Sequence, residues 1–298
     1  MSSESIVDLG PVQFIRGEKN GRYPYCHSVF IPEAGVLIDP ASDINTINTL
    51  KEDVQAIWLS HWHEDHIMYL SHFSHLPLLM HQADEPPLTD ISIYTAWYDL
   101  EPGRDDPIID QWKKILVELF NFEPRLASEY LQDGKLVDLG SVTVEIIHAP
   151  GHSPGNLAFY FREPEILFIG DNDLTKFGPW YGDRYSNIDQ IVKTVQKLRS
   201  IPAKTWLTGH EAGIFTEVPE QAWDDYLAVI QRREDKLYDF LNSPKSIEEI
   251  GKAWIVYGKP VEPVPEFEMI ERVSMKKHAE RLIKKGLVVF EEGKYRRL

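Results

Sequence analysis

Between positions 61 and 66 the chain reads His61-Trp62-His63-Glu64-Asp65-His66, three imidazoles and two carboxylates within six residues. Alternate residues of an extended segment point the same way, so His61 and His63 can face one point while Asp65 and His66 turn toward its neighbour. Imidazole and carboxylate donors at that spacing suit divalent metal ions, and one such loop can serve two of them. Three more fragments carry donors of the same type: Pro150-Gly151-His152-Ser153-Pro154-Gly155, Gly170-Asp171 and Gly209-His210. Cys26 is the single cysteine, which excludes an internal disulfide and a cysteine-rich zinc site, so a metal would draw on the eleven histidines and on carboxylates. Two divalent cations would make water the nucleophile, by lowering its pKa and polarising a carbonyl or phosphoryl oxygen.

These donors need rigid elements behind them, and the sequence supplies strands. Short apolar runs over 12–16, 25–32 and 35–39 are followed by Ile44, Ile47 and Leu50 at helical spacing, with Ser42 or Asp43 placed to cap that helix. The apolar run over 54–60 then empties into the His61 loop. Further strands are predicted over 135–138, 142–147, 156–161, 165–170 and 204–208, with a helix over 187–199. His152, Asp171 and His210 each follow the C-terminal end of such a strand, where sites on α/β sheets tend to form.

Residues 88–132 lack strand signals and carry Tyr94, Trp97, Tyr98, Trp112, Phe120 and Phe122, which predicts a helical insertion, or cap. A long amphipathic helix is predicted over 219–241, followed by a start signal at Ser243-Pro244-Lys245-Ser246 with Glu248 and Glu249. Together with Val288-Val289-Phe290 and a Glu-Glu-Gly-Lys turn, this predicts a small helical, winged-helix-like unit. The expected organisation is therefore a catalytic domain over 1–218, containing the insertion, and a C-terminal unit over 219–298.

A chain of 298 residues with 43% hydrophobic and 26% charged residues is ordinary for a globular protein with a sizeable core. No apolar run reaches the ~20 residues of a membrane-spanning helix. The start lacks the basic flank and apolar stretch of a signal peptide, so the expected location is the cytoplasm. The net charge of -16 argues against nucleic acid or an anionic membrane as partner. Residues 272–298 differ, carrying +6 while the rest carries -22. Met275, Ala279, Leu282 and Ile283 form an apolar stripe there, which makes Lys276, Lys277, Arg281, Lys284 and Lys285 the solvated face of a helix; a phosphate-contacting face is the alternative.

Taken in order, His-x-His-x-Asp-His, Pro-Gly-His, Gly-Asp and a late Gly-His resemble the metallo-β-lactamase-fold superfamily of metal-dependent hydrolases, over about residues 10–215. The resemblance implies an α/β fold, a four-layered αβ/βα sandwich with two metal ions at one edge of its sheets. His61, His63 and His152 would hold the first ion, Asp65, His66 and His210 the second, and Asp171 would bridge them. Zinc is the first expectation, with iron or manganese compatible with the same donors. Asp65 would orient the bridging water and take its proton. Asp39 matches the acidic residue closing the family's first motif, although Pro40-Ala41 stands where Thr-Gly is common.

Thioesterases of the glyoxalase II type, lactonases, RNase Z-type phosphodiesterases and β-lactamases share these ligands, so the substrate rests on the surroundings. The insertion is aromatic and acidic, and Phe177, Trp180, Tyr181 and Arg184 follow the bridging aspartate as candidate pocket residues. Such walls suit a small-molecule carboxylic ester, lactone or thioester better than a nucleic acid. A mononuclear iron dioxygenase of the persulfide type is the main rival, with His66 and His210 then left over; flavodiiron proteins place Glu where this chain has His63. A nuclease using the basic tail and a metal-binding regulatory protein are further alternatives. Small C-terminal units in β-lactamase-like hydrolases pack on the body or on a partner subunit, so a homodimer is among the expectations.

Overall fold

The computed structural model describes residues 5–298. Apolar runs of the first half pair in chain order into a seven-stranded sheet: β1 (Ile6–Asp8), β2 (Gln13–Ile15), β3 (Ser28–Ile31), β4 (Val36–Ile38), β5 (Ala56–Trp58), β6 (Leu78–Met80) and β7 (Glu129–Tyr130). The pairs from β1 to β4 are antiparallel and those from β4 to β7 parallel, so the chain must cross over between the later strands. A helical turn α1 (Glu18–Gly21) precedes β3, α2 (Ile44–Leu50) joins β4 to β5, and the single turn α3 (Glu64–Ile67) follows β5. The Asp43 carboxylate caps α2, accepting from the Thr46 N–H at 2.8 Å.

Between β6 and β7 lie α4 (Pro86–Thr89), α5 (Ile91–Trp97) and α6 (Asp106–Glu118). Here the structure departs from a strand-free reading of residues 88–132, because the segment ends in β7. The Ser128 and Leu131 N–H groups donate to the Leu78 and Met80 carbonyls on either side of the pair. A two-residue edge strand is too short to show alternation, so its pairing is dictated by β6 rather than by its own pattern.

The second half forms a six-stranded sheet in the order β13-β12-β11-β10-β9-β8. Its strands are β8 (Leu136–Asp138), β9 (Thr143–His148), β10 (Leu157–Phe161), β11 (Ile166–Phe168), β12 (Thr205–Leu207) and β13 (Ile214–Phe215), with α7 (Ile188–Arg199) crossing between the parallel β11 and β12. Alternation sets the layers. On β10, Leu157, Phe159 and Phe161 join Phe14, Val29, Ile38 and Trp58 of the first sheet in a shared core, while Ala158 faces α7 with Ile191 and Val195. The outer face of the first sheet packs Leu37, Ile57 and Leu78 against Ile47, Tyr94 and Leu116. Helices, sheet, sheet, helices is the four-layered αβ/βα sandwich expected. Phe159 is fully buried between the sheets. Phe159→Ala should cost about 3–5 kcal/mol, read as a lower urea midpoint with an unchanged slope.

The chain continues through α8 (Glu220–Phe240), α9 (Ile247–Gly251), α10 (Val264–Lys284) and an antiparallel hairpin of β14 (Val288–Glu291) and β15 (Lys294–Arg297). Ser246 and Glu249 form the capping box that opens α9. Leu237, Leu241, Ile250, Met275, Leu282 and Val288 make a core of their own. Among the described residues no helix is long and apolar enough to cross a membrane.

Half of the basic face on α10 turns inward. Lys285 bonds the buried Glu234 carboxylate at 2.7 Å and Arg281 bonds it at 3.0 Å, with His278 at 3.9 Å. Burial pushes the Glu234 carboxyl up, but His278, Lys285 and Arg281 outweigh it and hold it at about 2. A depressed folded value means the contribution is fully present above the ordinary range near 4.5 and is lost as pH falls through about 2. Glu234→Gln should therefore be less stable than wild type near neutrality, with the gap closing between about pH 4.5 and 2, as chemical denaturation at several pH values will show.

Candidate metal centre

Strand ends deliver every candidate donor to one edge of the sandwich. His61 and His63 follow β5, Asp65 and His66 sit in α3, His152 lies in the turn after β9, Asp171 follows β11 and His210 follows β12. Donor atoms of His61, His63, His152 and Asp171 lie within 4.8 Å of one another, and so do those of Asp65, His66 and His210. Asp171 spans both groups: its Oδ1 is 2.9 Å from His66 Nε2 and 3.3 Å from His210 Nε2, and its Oδ2 is 3.4 Å from His152 Nε2. Glycine is needed at 209, because a Cβ there would stand 2.8 Å from Asp171 Oδ1.

The outer nitrogens of the rings reveal what the inner ones can do. His152 Nδ1 faces the Trp180 carbonyl at 3.2 Å, which fixes its proton there and leaves a lone pair on Nε2. Ser60 donates its hydroxyl to Asp39 at 2.6 Å and accepts from His61 Nδ1 at 2.9 Å, leaving a lone pair on His61 Nε2. His63 Nε2 faces the buried Asp183 carboxylate at 3.3 Å, which against the pull of burial raises the ring's hold on a proton and turns Nδ1 inward. These three inner nitrogens converge, with Nε2 of His152 2.8 Å from His63 Nδ1 and 3.1 Å from His61 Nε2. In the neighbouring group, His66 Nδ1 donates to Asp39 at 2.9 Å and His210 Nδ1 to the Gly21 carbonyl at 2.6 Å. Their Nε2 atoms then face Asp171, and His210 Nε2 also faces Asp65 Oδ2 at 3.5 Å. Nitrogens and carboxylate oxygens this close in a buried cleft must share protons or a cation, so the donor set fits divalent cations at both groups.

The electrostatics divide the rings by their neighbours. Burial and the adjacent His63 push His152 down to about 4, and burial with the neighbouring His66 pushes His61 in the same direction, which keeps both rings neutral. Burial also opposes charge on His210, but Asp171 and Asp65 overcome it and raise the ring to about 10. Cys26 is buried, and burial pushes its thiol up to about 12, an unreactive group.

Several supporting residues carry no sequence signal. Glu64, buried between His63 and Asp65, accepts hydroxyl protons from Tyr98 at 2.5 Å, Tyr23 at 3.0 Å and Tyr94 at 3.3 Å, which ties α5 of the insertion to the metal-ligand loop. Trp62 packs among Tyr94, Trp97 and Tyr98 in the same seam, so these insertion aromatics are core. Asp84 accepts from the Ser153 hydroxyl and the Gly155 N–H and braces the His152 turn; burial raises its carboxyl to about 7. Tyr226 of α8 donates to the Asp171 carbonyl at 2.9 Å. Of the candidate pocket residues, Trp180 lies edge-on to His63 at 5.0 Å. Phe177 lies under Arg233, Tyr181 is buried with its hydroxyl on Arg233 and His278, and Arg184 pairs with Asp99 at 2.9 Å. Only the Asx motif at Asp183, whose carboxylate also accepts from Tyr185 and Ser186 N–H groups, is local enough to be read from the chain.

The model of the metallo-beta-lactamase superfamily matches residues 22–210, more than half of the chain, and the protein belongs to that superfamily. It is a hydrolase of that family, with a His/Asp cluster able to hold metal ions. An atrochrysone carboxyl ACP thioesterase of Emericella nidulans is 22% identical over 297 residues, covering 96% of this chain and 75% of the relative. The acyl-coenzyme A thioesterase MBLAC2 of Gallus gallus is 31% identical over 149 residues, covering 48% of this chain and 50% of the relative. The chain spans half or less of the length of the other curated relatives it matches. Among solved structures, a beta-lactamase domain protein from Burkholderia ambifaria aligns with a TM-score of 0.68 at 14% identity, covering 98% of this chain and 93% of that one. A metallo-beta-lactamase family protein from Thermus thermophilus aligns with a TM-score of 0.65 at 20% identity, covering 96% and 93%. Both share the fold.

Proposed function

We propose that the protein is a dinuclear metal-dependent hydrolase that cleaves a small-molecule carboxylic thioester, with esters and lactones as the neighbouring chemistry. The observation that carries this reading is the convergence of imidazole nitrogens on two adjacent points with Asp171 reaching both. In this assignment His61, His63 and His152 hold one ion, Asp65, His66 and His210 the other, and Asp171 lies between them. When bound, two divalent ions supply Lewis acidity and make water acidic enough to serve as nucleophile near neutral pH. Asp65 orients that water and accepts its proton. Asp39 holds the His66 ring and, through Ser60, the His61 ring in the tautomers that face inward. Trp180, edge-on to His63, forms an apolar wall beside the centre.

The thioester preference draws on the relatives, which are named as thioesterases of acyl carrier protein and of coenzyme A. Metal analysis by mass spectrometry, run beside a panel of acyl-coenzyme A, ester, lactone and phosphodiester substrates, tests both parts. The expected result is two zinc or manganese ions per chain with free thiol released from one or more acyl-coenzyme A substrates. One iron per chain, no hydrolysis and oxygen uptake with persulfides would overturn it.

A further inference from the structure

The segment between Asp171 and α7 has no regular secondary structure, yet it supplies the outer partners of two candidate ligands. Its Trp180 carbonyl accepts from His152 Nδ1, and its Asp183 carboxylate faces His63 Nε2. A loop cannot hold an imidazole more tightly than it is itself held. Here the holding comes from the C-terminal helices. Arg233 on α8, 4% exposed, donates to the Phe177 carbonyl, the Pro179 carbonyl and the Tyr181 hydroxyl, each at 2.8 Å. Its guanidinium also lies 4.6 Å from the Phe177 ring centroid and 5.3 Å from that of Tyr181. Tyr181 passes its own proton to His278 Nε2 on α10 at 2.8 Å. Lys277 donates to the Arg184 carbonyl at 3.2 Å, and Arg281 bonds Asp189 at the start of α7 at 2.9 Å.

The other half of the centre is braced differently. His66 is held by Asp39 and His210 by the Gly21 carbonyl, both from the first half of the chain. A planar guanidinium can reach three oxygens in one fixed fork, which a lysine cannot do, and all three of these bonds fall on one loop. We propose that Arg233 is a positioning residue through which the C-terminal helices set the metal affinity of the His61, His63 and His152 group, and not that of the Asp65, His66 and His210 group. This rests on the metal-centre reading given above.

The test separates the two groups by background. His210→Ala keeps the first group and His152→Ala keeps the second; Arg233→Met is then added to each in the full chain. Zinc affinity of the metal-stripped proteins is measured by competition with a chromophoric chelator, beside circular dichroism and melting curves without metal. Outer partners of metal ligands typically change affinity 10–100-fold. The expected result is about a tenfold or larger weakening in the His210→Ala background and less than about twofold in the His152→Ala background. Equal effects in both backgrounds, or none in either, would overturn the proposal. Arg233→Lys should restore part of the loss, since the charge and N–H donors remain but the fixed fork does not. If Arg233→Met fails to fold, Tyr181→Phe, which removes one bond of the same chain, must shift the first background alone and in the same direction. Zinc binding by neither parent background would instead refute the metal-centre reading itself.

Discussion

Asp171→Ala will cut turnover by roughly a thousandfold or more and lower the metal content toward one ion per chain. Asp171 is the one carboxylate whose two oxygens face both donor groups, with Oδ1 near His66 and His210 and Oδ2 near His152. Alanine removes the negative charge that offsets two adjacent cations as well as the donor atoms. A change confined to binding strength would raise KM and leave kcat untouched, whereas loss of the bridging position must appear in kcat. Steady-state kinetics and mass-spectrometric metal analysis on the same preparation read both. Two ions and unimpaired kcat in the variant would sink the assignment. Asp171→Asn sharpens the result, because it keeps the shape beside Gly209 while removing the charge and one of the two ligating oxygens.

Stripping the metals will lower the melting temperature by roughly 6 °C or more. An ion present at a thousand times its Kd stabilises the folded state by about 4.1 kcal/mol. For chains of about 150–250 residues each kcal/mol shifts the midpoint by about 2–4 °C, and slightly less for a longer chain such as this one. The converging nitrogens of His61, His63 and His152 are brought together only in the folded chain, so ions bound there would stabilise the folded state alone. Calorimetry of chelated and reloaded protein checks this directly. Coincident melting curves, with metal content verified, would show that no ion is held tightly enough to act.

The local parts of this arrangement could be read from the chain. Ligand-type residues at 61–66 stand next to the strand that places them, and the capping residues Asp43 and Ser246 act within three residues of themselves. The four-layered sandwich was implied by the family resemblance, and the structure builds it through alternation on strands such as β10, where odd and even residues face different cores. What escaped was non-local. The tyrosines on Glu64 come from 30 to 41 positions away, Asp84 reaches Ser153 across 69, and Arg233 spans 52 to 56 positions to its partners in the loop. A carbonyl has no residue identity, so nothing in a sequence marks it as an acceptor. Tyr181 reads as a pocket aromatic for the same reason: its position after Asp171 is local, while its hydroxyl partners belong to helices that arrive later in the chain.

The seven candidate ligands are divided between the halves of the sandwich, four from the loop after β5 and three from the loops after β9, β11 and β12. Ions bound there would act as a staple driven through one rim of two sheets whose facing surfaces are apolar. Opening the sandwich at that rim would then require breaking coordination, while the opposite rim could breathe. A chain cut at the exposed Gly134 turn between the sheets would turn this staple into a reporter: the two fragments should reassemble far more tightly with zinc present than after chelation.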